Sequence, residues 1–322
     1  MHSRTRLFGR DGDGAQEILE LIGVISAGVS FDKWEPLFPF GIRDVSAIVG
    51  RSVVLDLADV YNAEEGEQRD LVMSIEGMGE ALTYLRQAVA LFTWLKIIPT
   101  LDAQHDENGR SRRLGENEKG LTALQEWKDE QNILRLAYEA VDALIETMTI
   151  HRHQYWLDSP KYSMRKSLLV RNKEEFDEYY NIGSHRLFVT LLPMLREIQQ
   201  GSVAPIVGTD RMRQLVGGDS LLESILGDTA RRALVLLTME KAIRRLPVEV
   251  MPEGIVQVQF SQPVSSRLKA DKEARQAVAD SLAADGNLAL SRLADLVAGL
   301  EQKENRSSYV GGPIVHSKGI SF

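Results

Sequence analysis

The sequence predicts a mainly α-helical protein with two helical-bundle modules, each carrying a β-hairpin, followed by C-terminal helices and an extended arm. Apolar residues recur every three or four positions over most of the 322 residues, which is the spacing of a buried helix face. Two short stretches, "DVSAIVG" ending at Gly50 and "SVAPIVG" ending at Gly208, agree at four of seven positions and both end in "IVG". The same order of predicted elements follows both, so we interpret the chain as an internal duplication.

Composition excludes several kinds of function. A net charge of −8 and a pI near 5.4 argue against nucleic-acid binding as the main activity, because phosphate binding needs concentrated Lys and Arg. The chain has no cysteine, which rules out disulfides, thiolate zinc sites and cysteine nucleophiles. No apolar run reaches the roughly 20 residues of a membrane span, and no signal-peptide pattern follows the N-terminal arginines.

The first module is predicted over residues 15–150, after a flexible arm over residues 1–14. A long amphipathic helix is expected over residues 72–98, with Pro99 ending it. A β-hairpin near 101–114 follows, because Asn-Gly is a strong hairpin-turn dipeptide. The helical stripe that defines the long helix consists of Val72, Ile75, Met78, Leu82, Leu85, Val89, Phe92 and Leu95.

A second long helix is expected to begin at Glu116. Its apolar residues alternate in steps of three and four, apart from one seven-residue step, and this pattern favours a buried helix in a bundle over an isolated coiled coil. The stripe consists of Leu124, Trp127, Leu134, Tyr138, Val141, Ile145 and Met148.

The second module is predicted over residues 151–262, with helices at Leu187–Ile198 and Leu221–Leu246. Asp219 or Ser220 can cap the latter, and Pro247 is expected to end it. Residues 248–260 then alternate apolar and polar side chains about a Pro-Glu-Gly turn, which is the best strand signal in the chain.

Helices are expected over residues 263–304, with Gly286 as the break between two of them. The Gly- and Ser-rich tail over residues 305–322 is predicted to be an extended arm. Its scattered apolar residues favour ordering on a neighbouring surface.

Two clusters were considered as sites of chemistry. His151 and His153 are two residues apart, so on a helix they face different sides and do not form a zinc-protease pair. The segment "HDENGRSRR" gathers His105, Asp106 and Arg110 with further charges. It is interpreted as a solvated or charge-docking hairpin tip, because catalytic groups need a concave, dry site. We predict no catalytic residue, no metal ligand and no cofactor.

One part of the sequence is similar to a known family. The stretch "NGRSRRLGENEKGLTALQEWKDEQN", with "AYEAVDALIETM" after it and "LPVEVMPEGIVQ" further on, resembles an uncharacterised family found among virion genes of Bacteroidetes-type prophages. The resemblance covers about residues 13–300, and that family has no settled activity. It implies, by analogy with phage connectors, small helical bundles with a projecting hairpin that stand as a ring on the portal.

The expected function is therefore a non-enzymatic virion protein, namely a head–tail connector or neck protein that forms a cyclic homo-oligomer. Its partners would be portal, neck and tail proteins, without a membrane or sequence-specific nucleic acid, in virions made in the bacterial cytoplasm. The alternatives are a tail terminator or minor capsid protein, and an intracellular helical adaptor or unrecognised enzyme. The residues expected to make the contacts are Asn108, Gly109, Arg110, Arg112, Arg113, Val250, Pro252, Glu253, Gly254, Ile255, Val315 and Phe322.

Overall fold

The structure is a computed structural model, and it describes residues 5–10, 12–23, 28–64, 66–106, 109–112, 122–246 and 264–309. The described chain is mainly helical. It divides into two compact units: unit 1 comprises residues 1–166 and 184–190, and unit 2 comprises residues 167–183 and 191–322.

Unit 1 is built around two long helices joined by a short hairpin. The helices α6 and α7 pack along each other, and α3 packs against α6. The elements of this part of the chain are α1 (Gly14–Ile22), α2 (Phe31–Trp34), α3 (Phe38–Val49), α4 (Arg51–Asn62), α5 (Glu67–Met73), α6 (Met78–Asp102), β1 (Ala103–Asp106), β2 (Gly109–Arg112), α7 (Ala123–Ile150), α8 (Gln154–Leu157), α9 (Pro160–Ser163) and a 3₁₀ turn (Met164–Ser167).

The core of unit 1 combines aliphatic and stacked aromatic side chains. The Trp34 ring stacks on Trp94 with centroids 5.3 Å apart, and Phe8 stacks on Phe38 at 4.7 Å. Such pairs add to the free energy gained from burial alone. Because Leu7 and Phe8 are only 2% and 3% exposed, residues 5–10 are packed and do not form the free arm predicted over residues 1–14.

Unit 2 is dominated by the packing of α15 on α16. Helix α11 is divided between the units: its residues up to 190 belong to unit 1, and its residues from 191 onward belong to unit 2. The elements are α10 (Lys173–Asp177), α11 (His185–Ile198), a π-helical turn (Gln199–Val203), α12 (Ala204–Val207), α13 (Thr209–Val216), α14 (Ser220–Leu222), a second π-helical turn (Glu223–Gly227), α15 (Asp228–Arg245) and α16 (Val264–Tyr309).

The first long helix differs from the prediction at both ends. It begins at Met78, after a break at residues 74–77, and continues through Pro99 to Asp102. A proline inside a helix removes one N–H donor, and its ring crowds the carbonyl four residues earlier. Pro99 lies in the last turn of α6, where few residues remain to continue the helix. The hydroxyl of Thr100 donates to the carbonyl of Ile97 at 2.6 Å.

The second long helix begins at Ala123, and the predicted start at Glu116 lies outside the described residues. Thr122 and Gln125 form a capping box, in which the Gln125 side chain accepts from the Thr122 N–H at 2.9 Å. Such a pair satisfies two of the donors that every helix start leaves open. Trp127, predicted to lie in the buried stripe, is 42% exposed, because it lies in the first turns of the helix.

The predicted helix over Leu221–Leu246 is present with a π-helical turn within it, and Asp219 caps it by accepting from the N–H groups of Leu221 and Leu222. The predicted break at Gly286 is wrong. Helix α16 runs without interruption over 46 residues to Tyr309, five residues into the predicted tail region, and Gly286 packs within it against Leu237 of α15.

The two "IVG" stretches form the same local joint. Gly50 has φ 100° and Gly208 has φ 86°, and each N–H donates at 2.9 Å to the carbonyl four residues earlier. A helix follows each glycine directly. Both glycines therefore end a helix with a backbone that other residues rarely adopt. The wider duplication stays a prediction, since Pro247, which would correspond to Pro99, lies outside the described residues.

Candidate interaction surface

The α6–α7 pair has two chemically different ends. The chain leaves α6 at Asp102 and returns to α7 at Ala123, so the hairpin lies at one end of the pair. The loop before α6 and the residues after α7 meet at the other. We define the first as the hairpin end and the second as the histidine end.

The hairpin end consists of β1 and β2 in antiparallel register, with Ala103 opposite Arg112 and Asp106 opposite Gly109. Gly109 is therefore the first paired residue of β2, where the sequence placed it in the turn. Within the part of the chain that the structure describes, the sheet has only these two strands. Each strand consequently has one edge without a backbone partner there, and such an edge can pair with another chain.

The predicted contact residues fall into two groups. Gly109, Arg110 and Arg112 lie in β2. The rest lie outside the described residues, and with them the hairpin predicted near 248–260: Asn108, Arg113, Val250, Pro252, Glu253, Gly254, Ile255, Val315 and Phe322.

The histidine end is held together by a buried imidazole. The Nε2 of His153 lies 2.8 Å from the carbonyl oxygen of Glu76, to which it donates, and its Nδ1 is hydrogen-bonded to the hydroxyl of Tyr155. His153 is 3% exposed, and burial also raises the pKa of Tyr155. These bonds tie the loop before α6 to the segment after α7.

His151 packs on the same loop from outside. Its Nδ1 lies 3.7 Å from the Glu76 carboxylate, and its ring lies against Gly77, where a Cβ would come within 2.3 Å of it. The two histidines therefore do not form a chelating pair. Both contact the loop before α6 and hold it in place.

The structure does not gather the charged constellation that an enzyme would need from these residues. His151 contacts the loop before the start of α6, whereas Asp106 and Arg110 follow its end, 25 helical residues away. At about 1.5 Å per residue, roughly 36 Å of helix separates them.

Exposed apolar side chains collect at the histidine end. Leu71 is 70% exposed, Ile150 65%, Ile75 46% and Met73 37%. Ile75 precedes Glu76, and Ile150 precedes His151, so the contact between Glu76 and His151 joins the two segments that carry them. We call these four residues the apolar patch.

Helical periodicity alone does not predict the apolar patch. Val72 and Ile75 fit the helical spacing of α6, so both were predicted to face inward. Gly77, with φ 75°, breaks that helix and leaves Ile75 on the surface. The glycines in "SIEGMGE" were the available signal, because two glycines close together weaken a helix.

A buried polar cluster fixes the start of α11 to α7. The Ser184 hydroxyl donates to Asp142 at 2.9 Å, and the Arg186 backbone N–H donates to the same carboxylate. The Arg186 guanidinium lies 3.9 Å from the centre of the Tyr138 ring. Burial raises the pKa of Asp142, although both donors oppose the shift, and burial lowers the pKa of Arg186. With each group held by its neighbours, the cluster is suited to structural support.

A similar network holds the N-terminal segment. The Tyr61 hydroxyl donates to Glu17 at 3.0 Å, the Arg86 guanidinium pairs with the same carboxylate, and Arg86 Nε donates to the Leu7 carbonyl at 2.9 Å. Arg10 adds a bond from its side chain to the Tyr61 carbonyl at 2.6 Å. Burial raises the pKa of Tyr61. These charges join α1, α4 and α6 to residues 5–10.

An open groove of about 400 Å³ lies between α1, α6 and α7. Its floor is apolar, with Leu21, Leu91 and Leu136, and Gln87 and Glu139 lie on its sides. Gln87 is already engaged, since it donates to the Leu21 carbonyl at 3.1 Å. The groove therefore offers few polar groups that could orient a ligand.

Neither a metal-binding cluster nor a membrane-spanning helix is found among the described residues. No group of three or more His, Asp or Glu side chains there is placed to hold a metal ion. None of the described helices is both long and apolar enough to cross a bilayer.

Comparison with known proteins assigns the chain to a family. The model of a family of unknown function, DUF6712, matches residues 53–184 and 207–303. The chain belongs to this family. The matched ranges include the hairpin, the apolar patch and most of α15 and α16. No curated protein matches the chain. No solved structure matches it either.

Proposed function

We propose that this member of the DUF6712 family is a structural subunit of a phage particle, a head–tail connector or neck protein that assembles into a ring. The phage context comes from the resemblance described above. The single observation that supports assembly is the hairpin between α6 and α7, whose strand edges have no backbone partner among the described residues.

The register identifies the backbone groups available to a neighbour. Two residues separate Asp106 from Gly109, so that pair exchanges hydrogen bonds across the hairpin. The next pair, His105 with Arg110, then directs its N–H and C=O groups outward. A strand added at this edge would lengthen the sheet by main-chain hydrogen bonds.

Proline substitutions test this edge. Arg110→Pro removes an outward N–H, whereas Ser111→Pro, one residue along, removes an N–H that bonds within the hairpin. Mass photometry of the wild-type chain should give particles that are whole multiples of 36.0 kDa. We expect R110P to lower the oligomer fraction while far-UV circular dichroism remains unchanged.

The position in a particle requires a separate experiment. Cryo-electron microscopy of virions from a strain that encodes the chain should place it between portal and tail. Density within the last ring of the tail tube, on the side of the head, would instead favour a tail terminator. A chain that stays monomeric and is absent from purified virions would refute the proposal, and the intracellular adaptor or enzyme would become the leading hypothesis.

A further inference from the structure

We propose that the apolar patch is the docking site for the β-hairpin of a second copy of this chain. The inference rests on the proposed function: it names the surface on which the hairpin would lie in the ring, a contact separate from strand addition at the edge of β2. It is carried by three observations on unit 1: an exposed apolar surface, complementary charge, and the distance between the two ends of α6.

The four residues of the apolar patch leave much of their apolar surface in water. Leu71 and Ile150 each leave about two thirds of their surface in water, and Ile75 nearly half. Four such side chains together expose apolar area on the order of a few hundred Å², a size that in monomers often marks an interaction site.

The surroundings of the patch are acidic. Residues 64–80 contain six Asp or Glu and one basic residue, Arg69, and Arg152 follows the patch at the end of α7. The acidic residues exposed in the structure are Glu64, Glu67, Asp70, Glu76 and Glu80. A partner that covers this surface should therefore present basic residues.

The hairpin supplies the matching charge. Residues 109–113 have the sequence "GRSRR", with three arginines and no acidic residue, followed by Leu114. Asp106 and Glu107 on the other side of the turn are acidic, so the basic character belongs to β2 and the residues after it. Complementary charge of this kind raises the association rate and selects the partner.

A chain cannot make this contact with itself. The patch lies before the start of α6, and β1 begins directly after its end, 25 residues later. The helix spans roughly 36 Å, whereas a four-residue strand reaches only about 13 Å. The hairpin must therefore meet the patch of another copy.

Such a contact is heterologous, because one surface of a subunit meets a different surface of the next. Contacts of this type extend until the rotation closes into a ring, or otherwise form a filament. The inference thus gives a direction to the ring: histidine end to hairpin end.

Paired variants of the full-length protein test the contact. The patch variant is L71D/I150D, and the hairpin variant is R110E/R112E. The matched control is L221D, since Leu221 is 66% exposed but belongs to unit 2. Sedimentation velocity at several concentrations gives the association constant of each.

We expect each paired variant to weaken self-association about tenfold or more, as for a truncated hot spot, and L221D to leave it unchanged. Mixing the two variants should give a heterodimer of about 72 kDa, twice the chain mass of 36.0 kDa, and nothing larger. In that dimer one intact hairpin meets one intact patch. The charge reversal E67K/D70K should restore assembly to R110E/R112E.

Each contrary result has a defined meaning. If the wild-type chain assembles but L71D/I150D assembles equally well, the patch inference is overturned and the connector proposal survives. If the patch variant disrupts assembly, the hairpin variant does not, and the mixture gains nothing, the contact is patch to patch. If every expected result is obtained but virions lack the protein, the contact stands and the connector proposal fails.

Discussion

Gly41 in unit 1 and Gly286 in unit 2 both lie inside helices, where glycine is about 1 kcal/mol less favourable than alanine. A Cβ on Gly41 would lie 2.3 Å from the Thr93 hydroxyl oxygen and 2.7 Å from the Val89 carbonyl oxygen. A Cβ on Gly286 would lie 2.7 Å from the Leu237 side chain and 3.4 Å from its backbone nitrogen. Gly41 therefore allows a main-chain group of α6 to approach closely, whereas Gly286 mainly allows the side chain of Leu237 to approach.

The difference shows two ways in which a helix interface specifies glycine. At Gly41, α3 approaches α6 so closely that a main-chain carbonyl occupies the space, and a carbonyl cannot turn away without moving its helix. At Gly286, α16 accommodates a leucine of α15, and leucine can change rotamer. The two sites should therefore tolerate an added methyl group to different degrees.

The largest effect is expected for Gly41→Ala. Overpacking a core typically raises the free energy of the folded state by about 1–3 kcal/mol, and contact with backbone places this site at about 3 kcal/mol or above. Urea unfolding followed by far-UV circular dichroism measures the loss. Adding Thr93→Ala should recover only part of it, because the Val89 carbonyl remains; full recovery would show that the hydroxyl alone excludes the methyl group.

The second-largest effect is expected for Gly208→Ala. This substitution tests backbone strain alone, because the added methyl group meets no other atom. No atom lies within 4 Å of its Cβ position, but φ is 86°, in a region where a residue with a Cβ is strained by about 1–3 kcal/mol. The same unfolding measurement should show a loss of about 2 kcal/mol. An unchanged midpoint would mean that the joint at "IVG" tolerates an ordinary backbone.

Gly286→Ala should be milder, at about 1 kcal/mol, because the overpacking strain is offset by the better helix propensity of alanine. Leu237→Val in the same chain should reduce the penalty, as a double-mutant cycle would measure. A loss as large as that of Gly41→Ala would remove the distinction between the two glycines.

The smallest effect, with the opposite sign, is expected for Gly299→Ala. It lies in the same helix as Gly286, and no atom stands within 4 Å of its Cβ position. Propensity alone then predicts a stabilisation of about 0.5–1 kcal/mol. Destabilisation in urea would mean that α16 is packed more tightly at its C-terminal part than these distances indicate.

The helical pattern predicted most of the long elements but not their limits. Spacings of three and four located α6, α7, α11 and α15, and the Asp219 cap was confirmed. The ends were less accurate: Pro99 lies within α6, and Ile75 precedes it. Local sequence could not decide these ends. Whether Pro99 or Gly77 ends a helix depends on the packing around each residue, which the local sequence does not give.

One part of the candidate interaction surface, the hairpin, was predicted from the sequence, and the other part, the apolar patch, was not. The hairpin followed from the turn residues, and its strands lie at residues 103–112. The apolar patch could not be predicted in this way, because the exposure of a side chain depends on which segments pack against it. Ile150, for example, is an apolar residue that is 65% exposed in the fold. The contacts that His151 and His153 make with the loop before α6 likewise required the tertiary structure.

The sequence by itself determined a mainly helical chain, its long apolar stripes and the two "IVG" joints, because these depend on periodicity and on backbone freedom within a few residues. Only the tertiary structure decided that Gly286 fills an interface where a break was predicted, and that Leu71, Ile75 and Ile150 are left exposed. Both depend on the distance between segments far apart in the chain, and no local pattern encodes that distance.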